Sequence, residues 1–81
     1  MKEIKPGVFA VSFDFRTFLQ KLTDTEGWRE IKGPDSGVGL DYWFDNPDGT
    51  EAYINVDQGE MAVSIDGDVV WQGSSEEAEV L

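Results

Sequence analysis

The chain has 81 residues, 40% of them hydrophobic, ten aromatics and a formal net charge of −11. That describes one small domain with a single core and little stability to spare, too apolar to be a disordered segment. The absence of cysteine and histidine removes a disulfide framework, a thiolate metal site and the usual general base. The acidic balance argues against direct binding to nucleic acid or to an anionic membrane surface.

Near the start, Lys2 and Lys5 precede an apolar stretch that Ser12 and Asp14 interrupt, with no small-residue cleavage site. A signal peptide is therefore not expected. Nothing approaches the roughly 20 apolar residues of a membrane span, and the expected location is the cytoplasm. Val8 to Phe13 alternates and is rich in β-formers, which predicts a strand. Asp14 then caps a helix whose apolar stripe is Phe15, Phe18, Leu19 and Leu22, with Arg16, Thr17, Gln20 and Lys21 facing outward. The helix is expected to stop between Thr23 and Glu26, with Gly27 closing it. In Trp28 to Lys32 the two apolar residues are three apart, which suits neither period, and the segment reads as a short strand. Gly33 to Gly39 reads as a flexible connector, since its glycines have no lysine beside them to cradle a phosphate.

Leu40 to Gly73 reads as four strands joined by tight turns. In Asn46-Pro47-Asp48-Gly49-Thr50, Pro47 presets the first corner of a type I turn and Gly49 takes the left-handed bulge position. Such a three-residue loop places Leu40 opposite Val56, Tyr42 opposite Ile54 and Phe44 opposite Ala52 on an apolar face. The other face pairs Trp43 with Tyr53 and Asp41 with Asn55. A one-residue slip would mix the two faces. Gln58-Gly59 reads as a two-residue loop that sets Val56 opposite Met61, Ile54 opposite Val63 and Ala52 opposite Ile65. The third turn admits two registers. A type I′ Asp66-Gly67 turn pairs Val63 with Val70 and sends Val69 and Trp71 outward. A bulged Ile65-Asp66-Gly67 loop turns Val69 and Trp71 into the core, and is favoured because it buries the larger side chain. Beyond it, Ser74 and Glu77 have capping-box spacing for one helical turn, and residues 74–81 are equally compatible with a flexible acidic tail.

The architecture that follows is α+β, a single domain over residues 1–81. One amphipathic helix packs on one face of an antiparallel β-meander of about five or six strands, and the other face meets solvent. The expected core is Phe15, Phe18, Leu19, Leu22, Tyr42, Phe44, Ile54, Val56, Val63 and Ile65.

Function has to be read from the charge. All six bases (Lys2, Lys5, Arg16, Lys21, Arg29, Lys32) fall in residues 1–32 beside five acids, a balance of +1, whereas residues 33–81 hold twelve acids and no base. Catalysis lacks a base or an activated nucleophile, and a chain this short has little room for a sugar cleft around paired carboxylates, so an enzyme is not expected. The acids at the first and third turns invite a calcium question, but EF-hand spacing is absent and turn chemistry explains Asp48-Gly49 and Asp66-Gly67. No cofactor is expected.

The favoured reading is an acidic inhibitor of a basic, nucleic-acid-binding protein. Its sheet face would imitate a phosphate backbone, because same-face residues on a strand lie roughly 6.6 Å apart. Small acidic inhibitors of phage counter-defence are an analogy of size and charge only. The expected contact residues are Asp41, Trp43, Asp45, Asp48, Glu51, Tyr53, Asp57, Glu60, Asp66 and Asp68, in a monomer or weak dimer. A toxin-immunity or adaptor protein that binds a basic enzyme is the alternative, followed by a soluble acidic domain that mimics nothing.

Overall fold

The computed structural model describes residues 14–80, and the strand expected over Val8 to Phe13 lies outside them. Helix α1 spans Phe15–Thr23, followed by strands β1 (Arg29–Ile31), β2 (Leu40–Asp45), β3 (Glu51–Asp57), β4 (Glu60–Ile65) and β5 (Asp68–Ser74), and by helix α2 (Ser75–Glu79). The class is α+β, an antiparallel five-stranded sheet in the order β1-β2-β3-β4-β5 with two short helices.

The turns act as their residues dictate. Asn46 and Thr50 close the first loop, Gly49 N–H donates to the Asn46 carbonyl at 2.8 Å, and Gly49 has φ +93°. The β2–β3 register is therefore the expected one, from Leu40 opposite Val56 to Asp45 opposite Glu51. Gln58 and Gly59 are both left-handed (φ 52° and 82°), as a type I′ turn requires, and Val56 faces Met61.

The third turn combines the two expected registers. Asp66 and Gly67 are left-handed, giving the two-residue turn with Ile65 opposite Asp68. A register shift follows, with Ser64 opposite Val69 but Val63 opposite Trp71, so Val70 is the extra residue of a bulge. The bulge changes the strand's phase after Val69. Trp71 therefore turns inward to meet Phe18 edge-on at 5.2 Å, while Val69 stays outside, 59% exposed. The expectation that both would be inward holds only for Trp71.

The core gathers Phe18, Leu19, Trp28, Phe44, Ala52, Ile54, Met61, Val63 and Ala78, with Phe15, Leu22, Tyr42, Val56, Ile65 and Trp71 half-buried around it. Asp14 caps α1 by accepting from the Arg16 and Thr17 N–H groups. The helix closes on Asp24, whose left-handed φ of 60° takes the place expected of Gly27. Gly27, also left-handed, lies beside Pro47. There Asn46 (7% exposed) donates from Nδ2 to the Glu26 carbonyl at 2.8 Å and accepts from the Asp48 N–H. This clamp fixes the segment that delivers Trp28 to the core.

Leu40, expected on the apolar face, is 58% exposed. Strand β1 pairs with β2 only as far as Trp43, so among the described residues no strand lies beside the first half of β2 on that side. At the other end of the chain, residues 74–79 are not a loose tail. Ser74 and Glu77 form a reciprocal capping box, the Ser75 N–H donates to the Gly59 carbonyl, and Ala78 is buried.

Candidate functional site

The outward face of the sheet follows from strand alternation. Arg29 and Ile31 come from β1, Asp41, Trp43 and Asp45 from β2, and Glu51, Tyr53, Asn55 and Asp57 from β3. Strand β4 adds Glu60, Ala62 and Ser64, and β5 adds Val69 and Gln72. Nine of the ten residues expected at a contact surface lie on this face or in the turns at its ends, and Asp68, opposite Ile65, starts β5 on the other side; their surroundings differ sharply.

The first group is engaged by the protein itself. Residues 33–39 are not a free connector: they fold back as a strap across the outward side of β2. Gly33 lies flat against the Trp43 ring, where any Cβ would overlap it, and the Pro34 carbonyl accepts from Trp43 Nε1 at 2.9 Å. Trp43 also leans on Tyr53, with ring centroids 4.4 Å apart. Trp43 is thus half-buried between strap and sheet, and is not a bare anchor.

Asp41 holds the strap down. Its carboxylate accepts from the Ser36 N–H at 2.7 Å, from Asn55 Nδ2 at 2.9 Å and from the Tyr53 hydroxyl, with the Ser36 hydroxyl 2.9 Å away. Asn55 Nδ2 also reaches the Val38 carbonyl at 2.8 Å. The Tyr53 hydroxyl first, and then the Ser36 and Asn55 donors, hold the Asp41 carboxyl far below the usual carboxylate range. Burial, and then the adjacent Asp41, push the Tyr53 phenol up. Asp41 thus tethers the strap as a carboxylate.

Asp45 is engaged too. The division of charge along the sequence set Arg29 apart from the acidic face, yet β1 places it directly opposite Asp45. Arg29 grips the carboxylate with two bonds, Nε to Oδ1 at 3.1 Å and Nη2 to Oδ2 at 3.2 Å.

The second group carries its charge outward. Asp48 Oδ1 accepts from the Thr50 N–H, and the Thr50 contacts lower its pKa. Asp66 Oδ1 accepts from the Glu51 N–H at 3.0 Å and so ties the third turn to β3, and Asp68 opens β5. At the opposite end Asp57 and Glu60 face each other across the second turn. No basic side chain among the described residues pairs with Glu51, Asp57, Glu60, Asp66 or Asp68. Nor do three acidic groups converge among the described residues to hold a metal ion. Carboxylates with no described base beside them therefore stand at both ends of β3 and β4, and the surface between them is neutral: Tyr53, Asn55, Ala62 and Ser64.

Sequence reasoning missed three members of this arrangement: the strap, the Arg29 clamp and the Asn46 clamp. The Gly33 and Gly39 spacing was the one available signal, because a Cβ at Gly39 would strike the Val56 carbonyl just as one at Gly33 would strike Trp43. No helix among the described residues is long and apolar enough to cross a membrane. No protein-family model, curated protein or solved structure matches this chain.

Proposed function

We propose that this chain is a small acidic binding module of the cytoplasm, not an enzyme, that inhibits a basic partner by occupying its nucleic-acid-binding groove. The observation that supports it most is the split among the carboxylates. Asp41 and Asp45 are used up in holding the fold, while Glu51, Asp57, Glu60, Asp66 and Asp68 remain unpaired by any described base on one stiff, hydrogen-bonded sheet. Phe15 and Phe18 of α1 meet Tyr42, Phe44 and Trp71 on the inner side, so among the described residues the outer side beyond the strap is the one left for a partner. Like charges held close together on a frame speed association with a basic surface and resist association with anything else.

An immunity-type or adaptor role is the second reading, and one observation favours it. The free carboxylates sit at the two ends of the face with a neutral floor between them, whereas phosphates along a strand are evenly spaced. Both readings are tested by one experiment. Partners captured on the immobilised protein are challenged with duplex DNA or RNA, with added salt, and with the variants Asp57→Lys, Glu60→Lys and Asp66→Lys. Mimicry predicts that nucleic acid displaces the partner. The adaptor reading predicts that it does not, although the reversals and salt still weaken binding. If the reversals change binding no more than Glu26→Lys, the acidic face is only a solubilising surface.

A further inference from the structure

Tyr53 stands in the middle of three strands on the outward face, with Trp43 opposite it on β2 and Ser64 opposite it on β4. The Trp43 ring fills the space on the first side. Ser64 is too small to fill it on the second, and a hollow of about 270 Å³ is left there. Its lining joins the aromatic pair Trp43 and Tyr53 to the carboxylates Glu51 and Asp66 and to the small Ser64 and Gly67. A side chain built at Gly67 would meet nothing, so that rim is open to entry.

We infer that this hollow receives one arginine side chain of the partner, with its guanidinium against the Tyr53 ring and forked onto the Glu51 carboxylate. The inference rests on the proposed function and names the group that the partner inserts. Size is the first argument. The hollow is smaller than the roughly 300–1,000 Å³ of sites that enclose whole small molecules, and one long side chain is the scale that remains. Preorganisation is the second. The Tyr53 ring is braced by Trp43 at 4.4 Å and its hydroxyl donates to Asp41. Asp66 N–H donates to the Glu51 carbonyl at 2.8 Å, and Glu51 N–H donates to Asp66 Oδ1 at 3.0 Å, so the two acidic residues are fixed to each other by the backbone. Such a wall loses little freedom when a ligand arrives.

Charge and aromaticity together select the occupant. The Glu51 side chain has no hydrogen-bond or ion-pair partner among the described residues. An apolar side chain would cover that carboxylate and leave it unpaired, which is costly. A cation satisfies it and is also attracted to an aromatic face. Arginine fits better than lysine, because the planar guanidinium stacks on a ring and forks onto a carboxylate, whereas an ammonium is a strongly hydrated point charge. The protein makes the same fork one strand away: Arg29 grips Asp45 with two bonds, and Asp45 stands directly opposite Glu51.

The test uses the full chain, labelled with ¹⁵N, and three blocked tripeptides whose central residue is arginine, lysine or citrulline between two glycines. Citrulline keeps the shape of arginine and lacks its charge. The expected result is amide shifts with the arginine peptide centred on Glu51, Tyr53, Ser64 and Gly67. Lysine should bind at least threefold more weakly and citrulline at least tenfold. Glu51→Gln removes the charge and Ser64→Leu fills the hollow, and each should weaken the arginine peptide at least fivefold. Glu76→Gln makes the same change in net charge on α2 and should alter binding less than twofold. Two variants of the hollow are used so that a folding defect in one does not decide the matter.

The inference is overturned if the arginine peptide does not bind, or if its shifts centre on the Gln58–Gly59 turn or on α2. It also falls if citrulline binds as well as arginine, or if Glu51→Gln acts no more strongly than Glu76→Gln. Partner capture that survives Glu51→Gln and Ser64→Leu but is lost on Asp57→Lys and Glu60→Lys removes the arginine site and leaves the proposed function standing. Capture indifferent to all four removes both.

Discussion

Gly33→Ala is the smallest change that tests whether the strap is fastened to the sheet. Gly33 has ordinary negative-φ backbone, so the substitution introduces no backbone strain and acts through sterics alone. The new Cβ would lie 2.4 Å from Trp43 Cγ and Cδ1 and 2.6 Å from Cδ2, about 0.8–1.0 Å inside the 3.4 Å at which ordinary contact begins. Either the ring turns or the strap lifts. Tyr53 braces the ring at 4.4 Å, whereas residues 33–39 are exposed, so the strap lifts and the bond from Trp43 Nε1 to the Pro34 carbonyl is the first to break. Overpacking of this kind destabilises by about 1–3 kcal/mol, and a neutral hydrogen bond contributes about 0.5–1.5 kcal/mol. Because the strap can move, the lower half applies, about 1–2 kcal/mol, or a Tm lower by roughly 4–16 °C for a domain of this size. Calorimetry gives the Tm, and the Trp43 indole N–H resonance should shift and exchange faster with water. In a Trp43→Ala background the same substitution should have almost no effect, since the cycle isolates the contact. A Tm within 2 °C of wild type together with an unmoved indole resonance would refute the strap.

Four other outcomes follow from the sequence and the same geometry. Phe44 is 1% exposed and faces Ala52, which is too small to fill a void, so Phe44→Ala should lose about 3–5 kcal/mol in urea unfolding monitored by tryptophan fluorescence; a loss below about 1.5 kcal/mol would contradict the packing. Tm should rise with added NaCl, because twelve acids without a base in residues 33–81 repel one another over a screening length of about 8 Å at physiological ionic strength. Asp66→Asn should be neutral or mildly stabilising, since an amide oxygen still accepts from Glu51 N–H and Asn tolerates the left-handed φ of 50°; a drop of several degrees would mean that the charge itself is structural. In pH titrations, the lowered pKa of Asp41 contributes stability above about pH 4, its unfolded range, that is lost as the pH falls further. The raised pKa of Tyr53 contributes stability below about pH 10 that is lost as the pH rises through the folded value. Tm profiles of Asp41→Asn and Tyr53→Phe should therefore be flatter on the acid and the alkaline side respectively, and unchanged slopes would contradict the tether.

The meander was legible because turn chemistry and alternation are local and independent. Pro47-Asp48-Gly49 set a register that the alternation of Tyr42, Phe44, Ile54 and Val56 could check, and the two agreed. The helix was legible from Asp14 and the Phe15, Phe18, Leu19, Leu22 stripe. What escaped was non-local. Trp28 lies in the core beside a segment that Asn46, twenty residues beyond Glu26, holds by the Glu26 carbonyl. The bulge at Val70 depends on where Trp71 can meet Phe18, which no turn residue reports. The outer row of Asp41, Trp43 and Asp45 looked uniform in sequence, since alternation gives the side of the sheet and not the company a residue keeps there. The strap and β1 then diverted all three from solvent to internal partners.

The two like-charge pairs across the strands lead to the last prediction. Asp45 faces Glu51 at one end of the sheet and Asp57 faces Glu60 at the other, and like charges directly opposite destabilise a sheet. The first pair is relieved by the two-bond grip of Arg29. The second has no such relief among the described residues, and Asp57 and Glu60 flank a turn whose left-handed Gln58 and Gly59 specify it without help from either carboxylate. Stability alone would favour a base at one of the two positions. Glu60→Lys creates an opposite-charge pair with Asp57 and should raise Tm by a few degrees, from a cross-strand gain of up to about 1 kcal/mol. Asp45→Lys should lower it, because it sets two cations face to face at Arg29. If the free carboxylates serve a partner, Glu60→Lys should at the same time slow association with that partner and reduce the salt dependence of the rate, which ties the gain in stability to a loss of binding. A Glu60→Lys protein that is no more stable than wild type would show that the pair is already relieved by contacts other than Arg29. One that is more stable and binds its partner at an undiminished rate would place the working surface elsewhere on the molecule.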